Sequence, residues 1–318
     1  MRIAILTNSK LSVPAIDFLA GRKELVCIGI PSREDKTEDA DQIAYTAAHH
    51  QVPLAVFAKA GFKTALNDWL AEYKPDAVLV FTFPFKIPTH CLNIPVHGFI
   101  NFHFGLLPEY RGADAIFWQI RNGAKEGGIS VHRMTAEIDK GPLYFIVKLP
   151  LSPADTYGSH VLNLSMAGIG ATEKLLQLLQ SGMQPSIEQD ESRAAYYSRP
   201  ALQDVIIDWE RPAAEIIALI NACNPWNKGA VAYFNQYPLK IVAASVFPTG
   251  NLPAGPGKPG IIALADINKN CVVYCGSEES INLDILYCND SFITGFQFAR
   301  MGISQGMSFD KLSRNKVA

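Results

Sequence analysis

The 318-residue sequence predicts an α/β fold: a doubly wound, mostly parallel sheet followed by a smaller β-rich domain, either a small OB-like barrel or a sandwich. Three observations predict it. Through residue 150, short apolar runs alternate with segments of helical spacing. Those apolar runs are near-continuous, as strands covered on both faces require. Beyond residue 200 the pattern changes to short strand-like runs separated by Gly/Pro turns.

The elements follow in order. MRIAIL (1–6) reads as a strand, VPAIDFLA (13–20) as a helix and ELVCIGI (24–30) as the next strand. DQIAYTAAHH (41–50) is helical and VPLAVF (52–57) extended; ALNDWLAEY (65–73) is helical and DAVLVF (76–81) extended. Right-handed crossovers between such strands produce a doubly wound sheet. GFINF (98–102) is a strand running into HFGLLPEYRG, and ADAIFWQIRNG (113–123) is a helix closed by Gly123. GGISVHRM (127–134) and PLYFIVKL (142–149) are strands around the loop TAEIDKG, and a long helix spans roughly 153–181. Residues 184–200 carry few apolar positions and read as a linker. RPAAEIIALINAC (211–223) is a helix, and strands follow at 229–234, 239–247, 260–265, 271–275 and 281–288. The domains expected are therefore 1–183, a linker at 184–200, and 201–318.

Composition narrows the function classes. The chain is 48% hydrophobic and 18% charged with a formal net charge of −2, and its pI is about 6.4. A dedicated nucleic-acid binder usually carries a basic domain. No apolar stretch approaches the roughly 18 residues that a membrane span needs. The start of the sequence lacks a cleavable signal pattern, so a cytoplasmic protein is expected. Six scattered cysteines read as buried free thiols of a reducing compartment. Cys271 and Cys275 lack the further His or Cys residues of a zinc set, and no metal is expected.

The chemistry concentrates at Asn101-Phe102-His103. It lies at the C-terminal end of a predicted strand, where open α/β sheets place their ligands. Strand alternation points Asn101 and His103 the same way and turns Phe102 into the packing. The following loop, Leu107 to Gly112, is stiff at Pro108 and permissive at Gly112. Asp139 sits in a separate loop before Lys140-Gly141. Singly, each residue has a plainer reading: a hydrogen-bonded structural His, a strand-end Asn, an Asp in a turn.

Taken as one block, NFHFGLLPEYRGADAIFWQIRNGAKEGGISVHRMTAEIDKG resembles the core of the 10-formyltetrahydrofolate-dependent formyltransferases. That family has an Asn-x-His strand end, Leu-Leu-Pro, Tyr/His-Arg-Gly, Gly-x-x-x-x-Gly before a strand, and Asp-x-Gly. All stand here in order. MRIAIL and DWERPAAEIIALINACNPWNKGAVAYF extend the resemblance over most of the chain. It implies that Asn101, His103 and Asp139 are catalytic. An amine attacking a formyl carbon creates an oxyanion, to which the Asn101 amide and a protonated His103 donate. Asp139 holds His103 charged and helps remove the amine proton. The resemblance places 10-formyltetrahydrofolate, the formyl donor, at Phe85, Lys86 and Ile87 and along Thr135, Ala136, Glu137 and Ile138. An apolar, aromatic cleft suits a flat pterin. Phe83 and Phe85 also read as a packed strand end. Arg111 reads as a ligand for a carboxylate or phosphate, or as a tie to a neighbouring carboxylate.

The sequence departs from the family twice. The usual Ser of H-x-S-L-L-P is Gly105. In place of the basic insertion of the methionyl-tRNA formyltransferases stands PSREDKTEDA (31–40), with Arg33 and Lys36 against Glu34, Asp35, Glu38 and Asp39. An acidic loop repels phosphates. A small or carrier-bound amine is the acceptor expected, and tRNA is disfavoured. Methionyl-tRNA formylation and formyltetrahydrofolate hydrolysis stand as alternatives, beside a non-catalytic folate binder. A dinucleotide enzyme is weaker, because TNSKLSVP lacks the pyrophosphate-binding glycines.

Overall fold

The computed structural model describes residues 1–32, 37–252 and 257–311. These residues divide into two compact units. The first joins those of Met1–Ala115, Glu126–Leu149 and Val161–Tyr197; the second joins Ile116–Lys125, Pro150–His160 and the described residues from Ser198 on.

The first half of the chain alternates as its pattern predicts. β1 (Ile3–Thr7), α1 (Val13–Gly21), β2 (Leu25–Pro31), α2 (Glu38–His49), β3 (Leu54–Phe57), α3 (Phe62–Tyr73) and β4 (Ala77–Phe81) lead to β5 (Phe99–His103). Every residue of β1 and β4 is buried, which accounts for their unbroken apolar runs. The Thr37 hydroxyl caps α2, whose first turn carries Glu38, Asp39 and Asp41. Carboxylates there complement the positive end of the helix dipole.

β6 (Arg111–Gly112), α4 (Ala115–Arg121), β7 (Glu126–Arg133), β8 (Leu143–Pro150), α5 (Tyr157–Gln180) and β9 (Tyr196–Tyr197) follow. The sheet order is β3-β2-β1-β4-β5-β7-β8. Pairing from β3 through β5 is parallel. β7 then runs antiparallel to β5, setting Asn101 opposite His132 and His103 opposite Ser130.

The second unit holds α6 (Ala213–Ala222), β10 (Ala230–Phe234), β11 (Tyr237–Val246), β12 (Ile262–Ala265), β13 (Cys271–Tyr274), β14 (Ser280–Cys288), β15 (Ser291–Thr294) and α7 (Gly295–Arg300). Its sheet has the order β10-β11-β14-β13-β12, with β15 on β14, and all its pairs are antiparallel. β15 and α7 were not among the elements expected from sequence. The signal for β15 is Asn289-Asp290, whose φ values of 46° and 57° make a tight hairpin turn.

Residues 184–200, expected as a linker, are tied into the first unit as far as Tyr197. Leu143 and Ile187 exchange backbone hydrogen bonds at 2.8 and 3.2 Å, and β9 pairs with β6. Low apolar content suggested a solvated tether, whereas polar contacts hold the segment in place. Of the acidic 31–40 segment, Arg33, Glu34, Asp35 and Lys36 lie outside the described residues.

Candidate active site

The structure brings Asn101, His103 and Asp139 together within the first unit. Asn101 and His103 project from one face of β5. Asp139 reaches them from the β7–β8 connection, in a left-handed conformation with φ 55°. Its Oδ1 accepts from the Asn101 amide at 3.4 Å, and its Oδ2 accepts the Gly112 N–H at 2.9 Å. The Oδ2 also lies 3.7 Å from His103 Nδ1. Gly112 is a position that requires glycine: its φ is 98°, and a Cβ there would stand 2.1 Å from the Tyr197 carbonyl oxygen.

A second imidazole completes the cluster. His132, only 1% exposed, lies with its Nε2 3.2 Å from Asn101 Nδ2 and 3.6 Å from Asp139 Oδ1. Its Nδ1 is 3.1 Å from the Arg133 carbonyl, which only accepts. That contact favours the tautomer with hydrogen on Nδ1 and leaves Nε2 to accept from Asn101. Sequence reading passed over His132. Its signal was its place in a predicted strand, but using it required knowing that this strand pairs with β5.

His103 Nε2 lies 2.5 Å from the Tyr110 carbonyl, to which it donates, so Nδ1 is the nitrogen facing Asp139. Burial pushes the His103 pKa down and His132 adds to that; Asp139 and the Tyr110 carbonyl oppose them without prevailing. Loss of hydration at 7% exposure thus works against the charged His103 expected from the sequence, while the Asp139 carboxylate works for it. For Asp139, burial acts to raise the pKa. The neighbouring His103 and His132 imidazoles and the Gly112 N–H outweigh it, and the carboxyl is held well below the usual range.

The expected ligand for an anionic group is corrected as well. Arg111 is 0% exposed. Its Nη1 donates to Glu191 Oε2 at 2.9 Å and to the Tyr196 hydroxyl at 2.8 Å. Its Nη2 donates to Glu191 Oε1 at 2.6 Å and Gln189 Oε1 at 2.8 Å, and Nε to Gln189 Oε1 at 3.1 Å. All five guanidinium hydrogens thus have partners inside the chain. Arg111 is the tie, not the ligand.

The donor positions differ in what they offer. Phe85 packs edge-on against Phe62 and Phe83 with ring centroids 5.1 and 5.3 Å apart. Lys86 is exposed, while the Ile87 side chain is buried in the core, which leaves its backbone as the available part. Thr135, Ala136, Glu137 and Ile138 are all exposed, Ile138 at 63%. Among the described residues, no group of three or more His, Cys, Asp or Glu is arranged to hold a metal ion. No described helix is long and apolar enough to cross a membrane.

Gly105 has a local reason. A Cβ there would lie 2.6 Å from Ala115 Cβ and 2.8 Å from His103 Nε2. The loop is pinned instead by Ser130 across the sheet. Its hydroxyl donates to the Gly105 carbonyl at 2.7 Å and accepts from the Leu107 N–H at 3.0 Å.

Comparison with known proteins bears on the family and the fold. The family described as formyl transferase matches residues 5–165, and the formyl transferase C-terminal domain matches residues 201–292. The chain belongs to the formyl transferase family. Methionyl-tRNA formyltransferase of Dictyoglomus thermophilum is 35% identical over 176 residues, which are 55% of this chain and 56% of that protein. The chain thus spans little more than half the length of that relative. Among solved structures, an N-formyltransferase from Helicobacter canadensis, in complex with folinic acid and dTDP-3-aminofucose, superimposes with a TM-score of 0.67. It is 15% identical, and the match covers 89% of this chain and 98% of that one. HypX from Aquifex aeolicus in complex with tetrahydrofolic acid gives a TM-score of 0.62 at 14% identity, covering 98% of this chain and 51% of that one.

Proposed function

We propose that this protein transfers the formyl group of 10-formyltetrahydrofolate to an amine, with Asn101, His103 and Asp139 as catalytic residues. The observation that carries this is the meeting of both β5 side chains on the Asp139 carboxylate. The amine nitrogen attacks the formyl carbon, and the carbonyl oxygen takes the negative charge. The Asn101 amide donates to that oxygen, a contribution typically worth about 3–4 kcal/mol of barrier. The attacking nitrogen must lose a proton. Neutral His103 offers a lone pair at Nδ1, and Asp139 Oδ2 stands 3.7 Å from it. A proton taken there becomes an N–H facing a carboxylate that is already ionised. The C–N bond to the folate then breaks, and the proton held on His103 passes to the folate nitrogen, so that tetrahydrofolate leaves and His103 is neutral again.

The donor lies along Phe85, Lys86 and Ile87 and the 135–138 loop. Two solved neighbours, described as complexes with folinic acid and tetrahydrofolic acid, support a folate donor. For the acceptor we favour a small or carrier-bound amine. The acidic 31–40 segment supports this, as does the sugar nucleotide named in the Helicobacter canadensis complex. Methionyl-tRNA is the second reading, favoured by the named activity of the 35% identical relative. Six free cysteines fit a reducing compartment such as the cytoplasm.

A panel of amines, including amino-sugar nucleotides and charged initiator tRNA, incubated with 10-formyltetrahydrofolate and scored by mass gain, tests this. The expected result is a formylated small or carrier-bound amine. Formylation of tRNA alone overturns the acceptor, and formate release without amine points to hydrolysis.

A further inference from the structure

Gln189 lies in the segment that reads as a linker, yet its side-chain amide makes four hydrogen bonds at the edge of the site. Its Oε1 accepts from Arg111 Nε at 3.1 Å and Nη2 at 2.8 Å. Its Nε2 donates to the Asp139 carbonyl at 2.8 Å and the Gly141 carbonyl at 2.8 Å. A carboxamide has two donor hydrogens and an oxygen that accepts twice, so its capacity is filled.

The bonds join two pieces of backbone that must meet. On one side is Arg111, whose successor Gly112 gives its N–H to Asp139 Oδ2. On the other is the main chain of Asp139 itself, held at φ 55°, a conformation that side-chain-bearing residues rarely adopt without support. Glu191 and Tyr196 hold Arg111 from the same segment.

We propose that Gln189 is a positioning residue for Asp139. It sets the spacing between the Asp139 peptide and the Arg111–Gly112 strand, and through them the approach of the carboxylate to His103. The inference rests on the catalytic reading of Asp139 given above. Glutamine is specific to the task. Glutamate accepts from Arg111 but has no hydrogen to give to either carbonyl, and methionine of similar length satisfies neither side.

The test compares wild type, Gln189→Glu and Gln189→Met in the full chain. It measures kcat, donor KM, thermal midpoint and the His103 imidazole titration by NMR of ¹⁵N-histidine-labelled protein. Misplacing a catalytic group by an ångström costs on the order of tenfold to a hundredfold, so both variants should lose kcat by about that factor. Donor KM should hold, because Gln189 is not among the positions proposed above for the donor. In Gln189→Met the His103 pKa should fall, since Asp139 raises it and that support is loosened. Wild-type kcat and an unchanged His103 titration, whatever the fall in thermal midpoint, overturn the proposal by making Gln189 scaffold only. If Gln189→Met does not fold, Gln189→Glu decides on kcat and KM. If wild type formylates no amine, it is the functional reading that fails, and the His103 titration still decides the positioning claim.

Discussion

Asn101 bears on the reaction through one group, an amide that already donates toward Asp139 and His132. Asn101→Ala removes the oxyanion donor and should lower kcat by about 10²-fold with little change in folding, measured as formyl transfer at saturating donor. His103, as the proposed proton acceptor, should set the pH dependence. Its pKa is pushed down by burial, and as proton acceptor it must be neutral. Activity should therefore persist as pH falls through the ordinary histidine value of about 6.5, and decline only below it. A pH profile of kcat/KM checks this, and an acid limb centred above 6.5 contradicts it. The convergence of Asn101, His103 and Asp139, the proposed catalytic residues, was legible in sequence because the family pattern keeps them in fixed order and strand alternation aligns two of them. His132 was not, because its partnership with Asn101 depends on antiparallel pairing of β5 with β7. Nothing local in GGISVHRM announces which strand it will lie beside.

Short segments carry much of the positioning. Gly105 occupies a turn that has no room for a side chain beside Ala115 and His103. Gly105→Ser, although it restores the family residue, should displace the imidazole or the start of α4. Overpacking of this kind costs about 1–3 kcal/mol of stability, and activity should fall with it; denaturant unfolding and a transfer assay measure both. α5 carries a different liability. His160 is fully buried, and neither ring nitrogen has a hydrogen-bond partner. Burial lowers its pKa, with Asp155 opposing. Unfolding returns it to its ordinary value, so the unfolded chain binds the proton first. Stability from this group is complete above about pH 6.5 and is lost as pH falls below it, toward the depressed folded value. His160→Leu should raise stability at pH 7 by about 1 kcal/mol, the low end for an unsatisfied buried group. It should also flatten the decline between pH 7 and 5 in urea titrations. The long elements were legible because periodicity accumulates over many residues. The β6–β9 pair was not: two strands of two residues each carry no period, and their partners are 85 residues apart.

At the scale of the molecule, the sequence distinguished a mostly parallel sheet with buried central strands from an antiparallel second sheet, because the first demands continuous apolar strands and the second does not. It read residues 184–200 as a linker, whereas those as far as Tyr197 pack into the first unit. The polar segment 187–197 folds back to enclose Arg111 and the Asp139 backbone, and polar attachments leave no hydrophobic trace in a sequence. The acceptor preference belongs to this scale as well. With a formal net charge of −2 and an acidic 31–40 segment, turnover on a small amine should depend weakly on salt. A tRNA acceptor, gripped through phosphates, would lose affinity steeply between 50 and 200 mM salt. The most direct test of the central claim is formyl transfer by Asp139→Asn beside wild type, with tetrahydrofolate binding measured on both. Loss of kcat by about 10²-fold or more with binding retained is the predicted result. Transfer at the wild-type rate by Asp139→Asn would contradict it.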